Sequence, residues 1–193
     1  MNGFDRRRKA KEQSILQTAL TLFMHQGIKS TSIQTIAKQA QVSPVTVFNY
    51  FGSKEKLLDQ TCSLYFDSTY EDFKQVIDSE QSFEEKMQYL IFTKGQVSKD
   101  IHADFYEALM LKYSHPDEHM VAFLKKGIIL YQVLFEQGKA EGMISKELSM
   151  PALMLYMQLL TTSMQDEAIY KDILPFSDEI MNMFLYGIYG KRE

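Results

Sequence analysis

The chain has 193 residues, 45% of them hydrophobic, with four prolines, nine glycines and a single cysteine. So few turn residues exclude an all-β fold, one cysteine excludes a disulfide framework or a multi-cysteine zinc site, and no apolar run is long enough to span a bilayer. The formal net charge is −4, but residues 1–60 carry nine Lys/Arg against four Asp/Glu, whereas residues 61–193 carry twelve against twenty-one.

A basic segment attached to an acidic remainder suggests a polyanion-binding head and a body with another task. The cluster Arg6, Arg7, Arg8, Lys9 and Lys11 opens the chain. It reads either as a solvated terminus or as an arm that touches phosphates or a minor groove. Ile15, Leu16, Ala19, Leu20, Leu22 and Phe23 then form an apolar stripe, and Gly27 stands where a helix C′ glycine belongs. This predicts a first helix over about residues 8–26.

From Ser32 to Phe51 two short apolar-periodic segments are joined by a polar turn. The first carries Ile33, Ile36, Ala37 and Ala40, the second Val47, Tyr50 and Phe51, with Val42 between them. Neither is long enough to be stable alone, so they pack on something else. Two such helices form a helix-turn-helix, whose second helix fits a DNA major groove. Thr31 or Ser32 is a good N-cap for the first of them. Ser43 before Pro44 is an N-cap followed by an N1 proline, and Ser53 caps a further helix starting at Lys54. Helix N-termini of this kind present backbone N–H groups to phosphate oxygens.

The string from Thr21 to Leu58, TLFMHQGIKSTSIQTIAKQAQVSPVTVFNYFGSKEKLL, resembles the DNA-binding signature of TetR/AcrR-type transcriptional regulators. The matching positions are Leu22-Phe23, Gly27, Thr31-Ser32, Ile36-Ala37, Ala40, Val42-Ser43, Thr46, Tyr50-Phe51, Ser53-Lys54-Glu55 and Leu57-Leu58. Two positions depart from the pattern. Gln41 stands where the turn usually has glycine, which puts a non-glycine residue at positive φ. Phe48 replaces a frequent tyrosine and lacks the hydroxyl that would reach a phosphate. On the second helix Val47 and part of Tyr50 face inward, leaving Pro44, Val45, Thr46, Phe48 and Asn49 for DNA. Asn49 suits an adenine edge, and Val45 and Phe48 suit a thymine methyl. Ser43, Thr46, Tyr50 and Lys54 fit phosphate contacts by chemistry and by the resemblance, as do Thr31 and Ser32 at the preceding cap.

The remainder reads as helices without a domain break: about 54–78, one starting near Ser82, one after Asp100 that His115-Pro116-Asp117 interrupts, about 117–139 ended by Gly138 and Gly142, and roughly 149–168 and 175–190. The fold class expected is all-α, about nine helices, with a helix-turn-helix DNA-binding domain over 1–53 and a helical effector-binding and dimerisation domain over 54–193. Residues 151–164, PALMLYMQLLTTSM, are apolar on nearly every face, which implies burial on every face; the competing roles are a central helix of one subunit or a dimer contact. The resemblance implies the latter, a homodimer through the last two helices.

Phe92, Phe105, Met110, Tyr113, Phe123 and Tyr131 are candidates for lining an apolar effector pocket, although each also suits ordinary core packing. His102, His115 and His119 invite a metal reading, and the last two are four apart, but Pro116 between them breaks the helical turn a metal pair needs, so no metal and no cofactor is expected. There is no nucleophile elbow, no H-E-x-x-H and no phosphate-cradling glycine loop, so no enzyme is expected either. The reading is a cytoplasmic one-component regulator. Its partners would be a palindromic double-stranded DNA operator and a small-molecule effector, with no membrane. As a repressor it would leave DNA when the effector binds; as an activator or architectural protein it would not.

Overall fold

The computed structural model describes residues 3–90 and 101–163, together with 172, 174–176, 179–180, 183 and 187. Among these the secondary structure is helical, with no strand. The elements are α1 (Gly3–Gln26), α2 (Ile33–Gln39), α3 (Pro44–Phe51), α4 (Lys54–Ile77), α5 (83–90 of the described residues), α6 (Ala103–Ser114), α7 (Glu118–Ala140), α8 (Met150–Ser163) and a 3-10 turn at Leu174–Phe176.

α1 starts at Gly3 rather than near residue 8, so Arg6 to Lys11 belong to the helix and not to an extended arm. Gly138 does not end α7, which continues to Ala140. It is glycine because a Cβ there would stand 2.8 Å from the Phe83 ring. The Pro116 break falls as expected: α6 stops at Ser114, and α7 begins after Asp117, whose carboxylate accepts the Met120 N–H at 2.8 Å. The last predicted helix and Phe92 lie outside the described residues, apart from isolated positions of the former.

The chain divides into two compact units, Met1–Ser68 with Lys99–Leu109, and Thr69–Ser98 with Met110–Glu193. The cut by packing therefore falls at 68/69, later than residue 53, because Leu57, Thr61, Cys62 and Phe66 of α4 are buried in the first unit. α4 and α6 each contribute residues to both units.

In the first unit the inward stripe of α1 (Ile15, Ala19, Leu22, Phe23) is buried along with Ile33, Ile36 and Ala37 of α2 and Val47 and Phe51 of α3. Phe105 is fully buried here, its ring centroid 6.0 Å from that of Phe23 and 6.2 Å from that of Tyr65. In the second unit the core is Ile77, Phe83, Met87, Leu90, Leu130, Leu134, Phe135, Ile144 and Leu153. Lys86 is also buried. Its ammonium donates to the Ile77 carbonyl and to Gln137 Oε1, both at 2.8 Å, while Gln137 Nε2 reaches Gln81 O and Glu141 Oε1. Glu141 in turn accepts the Phe83 N–H at 2.9 Å. This polar chain holds the α4–α5 turn and satisfies a carbonyl at the end of α4 that the helix itself leaves unpaired.

Candidate nucleic-acid interface

Two seryl caps set the geometry of the helix-turn-helix. Ser32 Oγ accepts the Thr35 N–H at 3.0 Å, and Ser43 Oγ accepts the Thr46 N–H at 3.1 Å with Pro44 in the first turn of α3. Each satisfies one of the N–H groups a helix start leaves open. Ser53 does the same for α4 through the Lys56 N–H.

Between α2 and α3 the turn closes as a Schellman motif. Gln41 N donates to Lys38 O at 3.3 Å, Val42 N donates to Ala37 O at 2.9 Å, and Gln41 lies in the left-handed region at φ 56°. That conformation costs a non-glycine residue about 1–2 kcal/mol. Gln41 is the one non-glycine residue at positive φ among those described.

α3 then divides cleanly. Val47 and Phe51 are buried, Tyr50 and Thr46 are half-buried, and Pro44, Val45, Phe48 and Asn49 are exposed. Two large apolar side chains of this short helix face outward: Val45 is 66% and Phe48 48% exposed. Asn49 lies beside Phe48 on the same outward face, with no protein partner for its amide among the described residues. The α3 face thus offers one amide and two apolar groups, flanked by the hydroxyls of Ser43, Thr46 and Tyr50.

Two sequence candidates sit differently. Thr31 is fully buried and its hydroxyl donates to the Gly27 carbonyl at 2.7 Å, so it builds the α1–α2 turn and is not available to a partner. Ser32, exposed, is the cap. Lys54 is half-buried and its ammonium donates to the Ile28 carbonyl at 2.7 Å, tying the start of α4 to the same turn.

Asp104 and His102 hold that turn from a third side; the sequence offered His102 only as a metal candidate and did not single out Asp104. Asp104 Oδ1 accepts the Ile28 N–H at 2.9 Å and Oδ2 the Lys29 N–H at 3.0 Å. The His102 backbone N–H donates to Met24 O at 2.7 Å, and its ring nitrogen Nδ1 lies 2.8 Å from Asp104 Oδ1. Partial burial by itself raises the Asp104 carboxyl. The Lys29 and Ile28 N–H bonds and His102 outweigh it and hold the group below the ordinary aspartate value. Gly27, at φ +84°, lets these groups approach: a Cβ there would stand 2.5 Å from the His102 ring and 2.8 Å from Asp104 Oδ1.

The sequence has relatives with the same head. Residues 15–61 match the family model for bacterial regulatory proteins of the tetR family. The head belongs to the TetR family. The TetR-type head is 45% identical over 62 residues to the HTH-type regulator YuxN of Bacillus subtilis, covering 32% of this chain and 21% of that protein. It is 26% identical over 94 residues to the transcriptional repressor KstR2 of Mycolicibacterium smegmatis, covering 49% of this chain and 46% of that one. The chain therefore spans less than half the length of these curated relatives. In three dimensions the match is longer. The regulator FadR of Bacillus subtilis, solved in complex with stearoyl-CoA, superposes with a TM-score of 0.60 over 92% of this chain and 99% of its own at 17% identity. At that identity the likeness shows a shared fold.

The described effector candidates fall in different units. Phe105 is a core side chain of the first unit. Tyr131, in the second, packs with its ring centroid 5.0 Å from Phe73 and 6.3 Å from Phe135, and Met110, Tyr113 and Phe123 are half-buried. An open polar cleft of about 620 Å³ beside Lys86, Gln137 and Glu141 includes none of them. Among the described residues no cluster of three or more His, Cys, Asp and Glu side chains could hold a metal ion. No described helix is long and apolar enough to cross a membrane.

Proposed function

We propose that the chain is a homodimeric, one-component transcriptional repressor that leaves a palindromic operator when a small molecule binds its body. The observation that carries the reading is the outward face of α3, where Val45, Phe48 and Asn49 are exposed on a doubly capped helix-turn-helix. On this reading residues 1–53 bind DNA and residues 54–193 bind the effector and the second subunit. Asn49 reads an adenine edge, Val45 and Phe48 touch thymine methyls, and Pro44 packs on the groove wall. Ser32, Ser43, Thr46, Tyr50 and Lys54 hold phosphates. So few base readers give modest specificity per head, and two heads one helical turn apart on the DNA supply the rest.

Dimerisation through the last two helices is supported by α8, which buries Leu153 but leaves Leu155, Tyr156 and Leu159 exposed. An apolar effector is supported by the complex of FadR with stearoyl-CoA, and its site is proposed among Met110, Tyr113, Phe123, Tyr131 and Phe92. Phe105 is left out, since its ring is fully enclosed in the first unit. Coupling runs along α4 and α6, and its size equals the effector's preference for the unbound conformation, typically ~1–3 kcal/mol. The relatives are transcriptional regulators, and no enzymatic role is proposed.

Unbiased selection of duplexes by the purified protein, followed by a ligand screen on the complex, tests this. A two-fold symmetric motif that an apolar acyl ligand releases is expected. Recovery of no motif contradicts DNA reading, and a motif that no ligand weakens contradicts induction.

A further inference from the structure

α1 is helical from Gly3, and one of the cations in its first turns reaches the recognition helix. Arg8 continues the inward stripe of α1, one helical repeat before Ile15, and its guanidinium carbon lies 5.9 Å from the centroid of the Tyr50 ring. Arg6, Arg7, Lys9 and Lys11 share the exposure but have no such contact among the described residues. A guanidinium placed over an aromatic ring keeps its N–H edge for an anion, and that fork matches a phosphate in two places. Among the described residues neither the Arg8 N–H groups nor the Tyr50 hydroxyl has a hydrogen-bonding partner. Two polar groups with open valences therefore lie side by side at the C-terminal end of α3.

We propose that Arg8 and Tyr50 form one composite site for a backbone phosphate of duplex DNA. Arg8 supplies the charge, and the Tyr50 ring holds the guanidinium in place. The assignment rests on the reading of this head as a DNA binder and adds to it a contact from a different helix. It also accounts for Phe48. The contact its missing hydroxyl does not make is supplied from α1, which frees Phe48 for an apolar role against the bases. A phosphate contact fixes register on DNA but reads no sequence, so Arg8 acts on affinity and not on base preference.

The test compares the full chain with Arg8→Ala, Tyr50→Leu, the double variant and Arg6→Ala. Binding to a selected operator and to an unrelated duplex is followed across salt concentration. Arg8→Ala is expected to weaken both duplexes by the same factor, close to tenfold at ~0.1 M salt, and to lower the slope of log affinity against log salt by about 0.9. Tyr50→Leu is expected to reproduce most of that loss, and Arg8→Ala added to it to cost little more, because the ring and the guanidinium act as one unit. Arg6→Ala is expected to change the slope by much less. Arg8 is exposed, so its replacement leaves the thermal midpoint unchanged. A wild-type chain that binds DNA while Arg8→Ala keeps the full salt slope, or loses no more than Arg6→Ala, overturns the composite site alone. Additive losses in the double variant overturn the positioning role of Tyr50. A wild-type chain that binds no duplex overturns the DNA reading itself, and this assignment with it.

Discussion

Asp104 and Ile28 are 76 positions apart in the chain, and the Asp104 carboxylate accepts the Ile28 backbone N–H at 2.9 Å. The other side of the same residue is also held, since the Ile28 carbonyl accepts from the Lys54 ammonium at 2.7 Å. One residue of the α1–α2 turn is thus gripped by α4 and α6, the two helices that have residues in both compact units. A turn held in this way sets where α2, and with it α3, begins.

Asp104→Asn keeps the shape but gives up one of two acceptor bonds to backbone N–H groups, and the charge. A loss of about 1–2 kcal/mol is expected, which lowers the thermal midpoint by roughly 2–8 °C. The pH dependence follows from the direction of the shift. The folded-state carboxyl lies below the ordinary aspartate value, so its contribution is complete above ~3.9 and is lost as pH falls through the folded value. Thermal midpoints of wild type and variant should converge on acidification from about pH 7 to about pH 3. A constant gap over that range would show that the carboxylate is not the source.

Gly27→Ala meets two obstacles at once, a φ of +84° and a Cβ 2.5 Å from the His102 ring. Strain alone costs ~1–2 kcal/mol, and displacing His102 and Asp104 raises the expected loss to about 2–4 kcal/mol. Chemical denaturation measures it directly. A loss below half a kcal/mol would mean that the clamp is not formed.

Gln41→Gly runs the other way. Relief of the left-handed strain, ~1–2 kcal/mol, exceeds the entropy that glycine adds to the unfolded chain, ~0.4–1 kcal/mol. A net gain near ~0.5–1 kcal/mol in unfolding free energy is expected. A destabilised variant would place a specific interaction on the Gln41 side chain.

These outcomes mark where the sequence was informative. The caps at Ser32 and Ser43, the buried Val47 and Phe51 and the left-handed Gln41 were all legible, because each depends on residues within one or two turns. The helical start of α1 was not, since its polar first turns carry no apolar periodicity and Asp5 alone is a weak start signal. Nor was the burial of Thr31 or the engagement of Lys54, each of which looks like a surface polar group until its acceptor, Gly27 O or Ile28 O, is known. The Asp104 clamp joins segments 76 positions apart, and no local pattern encodes such a pairing. On α6, Leu111 and Lys112 are neighbours, and hydrophobicity alone would turn Leu111 inward. The structure takes the lysine, whose side chain is 8% exposed and reaches Asp117 at 2.7 Å, while Leu111 is 60% exposed.

Lys54→Met separates two roles of one ammonium. Loss of the bond to the Ile28 carbonyl is expected to cost about 1 kcal/mol of stability. Loss of the charge should weaken operator and unrelated duplex by the same factor. Unchanged stability would mean that the Ile28 contact contributes nothing, and a sequence-selective loss would make Lys54 a base reader.

On the proposed reading the outward face of α3 reads DNA bases, and Asn49 is its most specific element. The decisive measurement is the base preference of wild type and Asn49→Ala on a panel of selected sites, each changed at one position. The expected result is that the variant loses ~1–3 kcal/mol of discrimination at a single adenine in each half-site, with the other positions unaffected. An unchanged preference at every position would contradict the assignment of α3 as the reading helix.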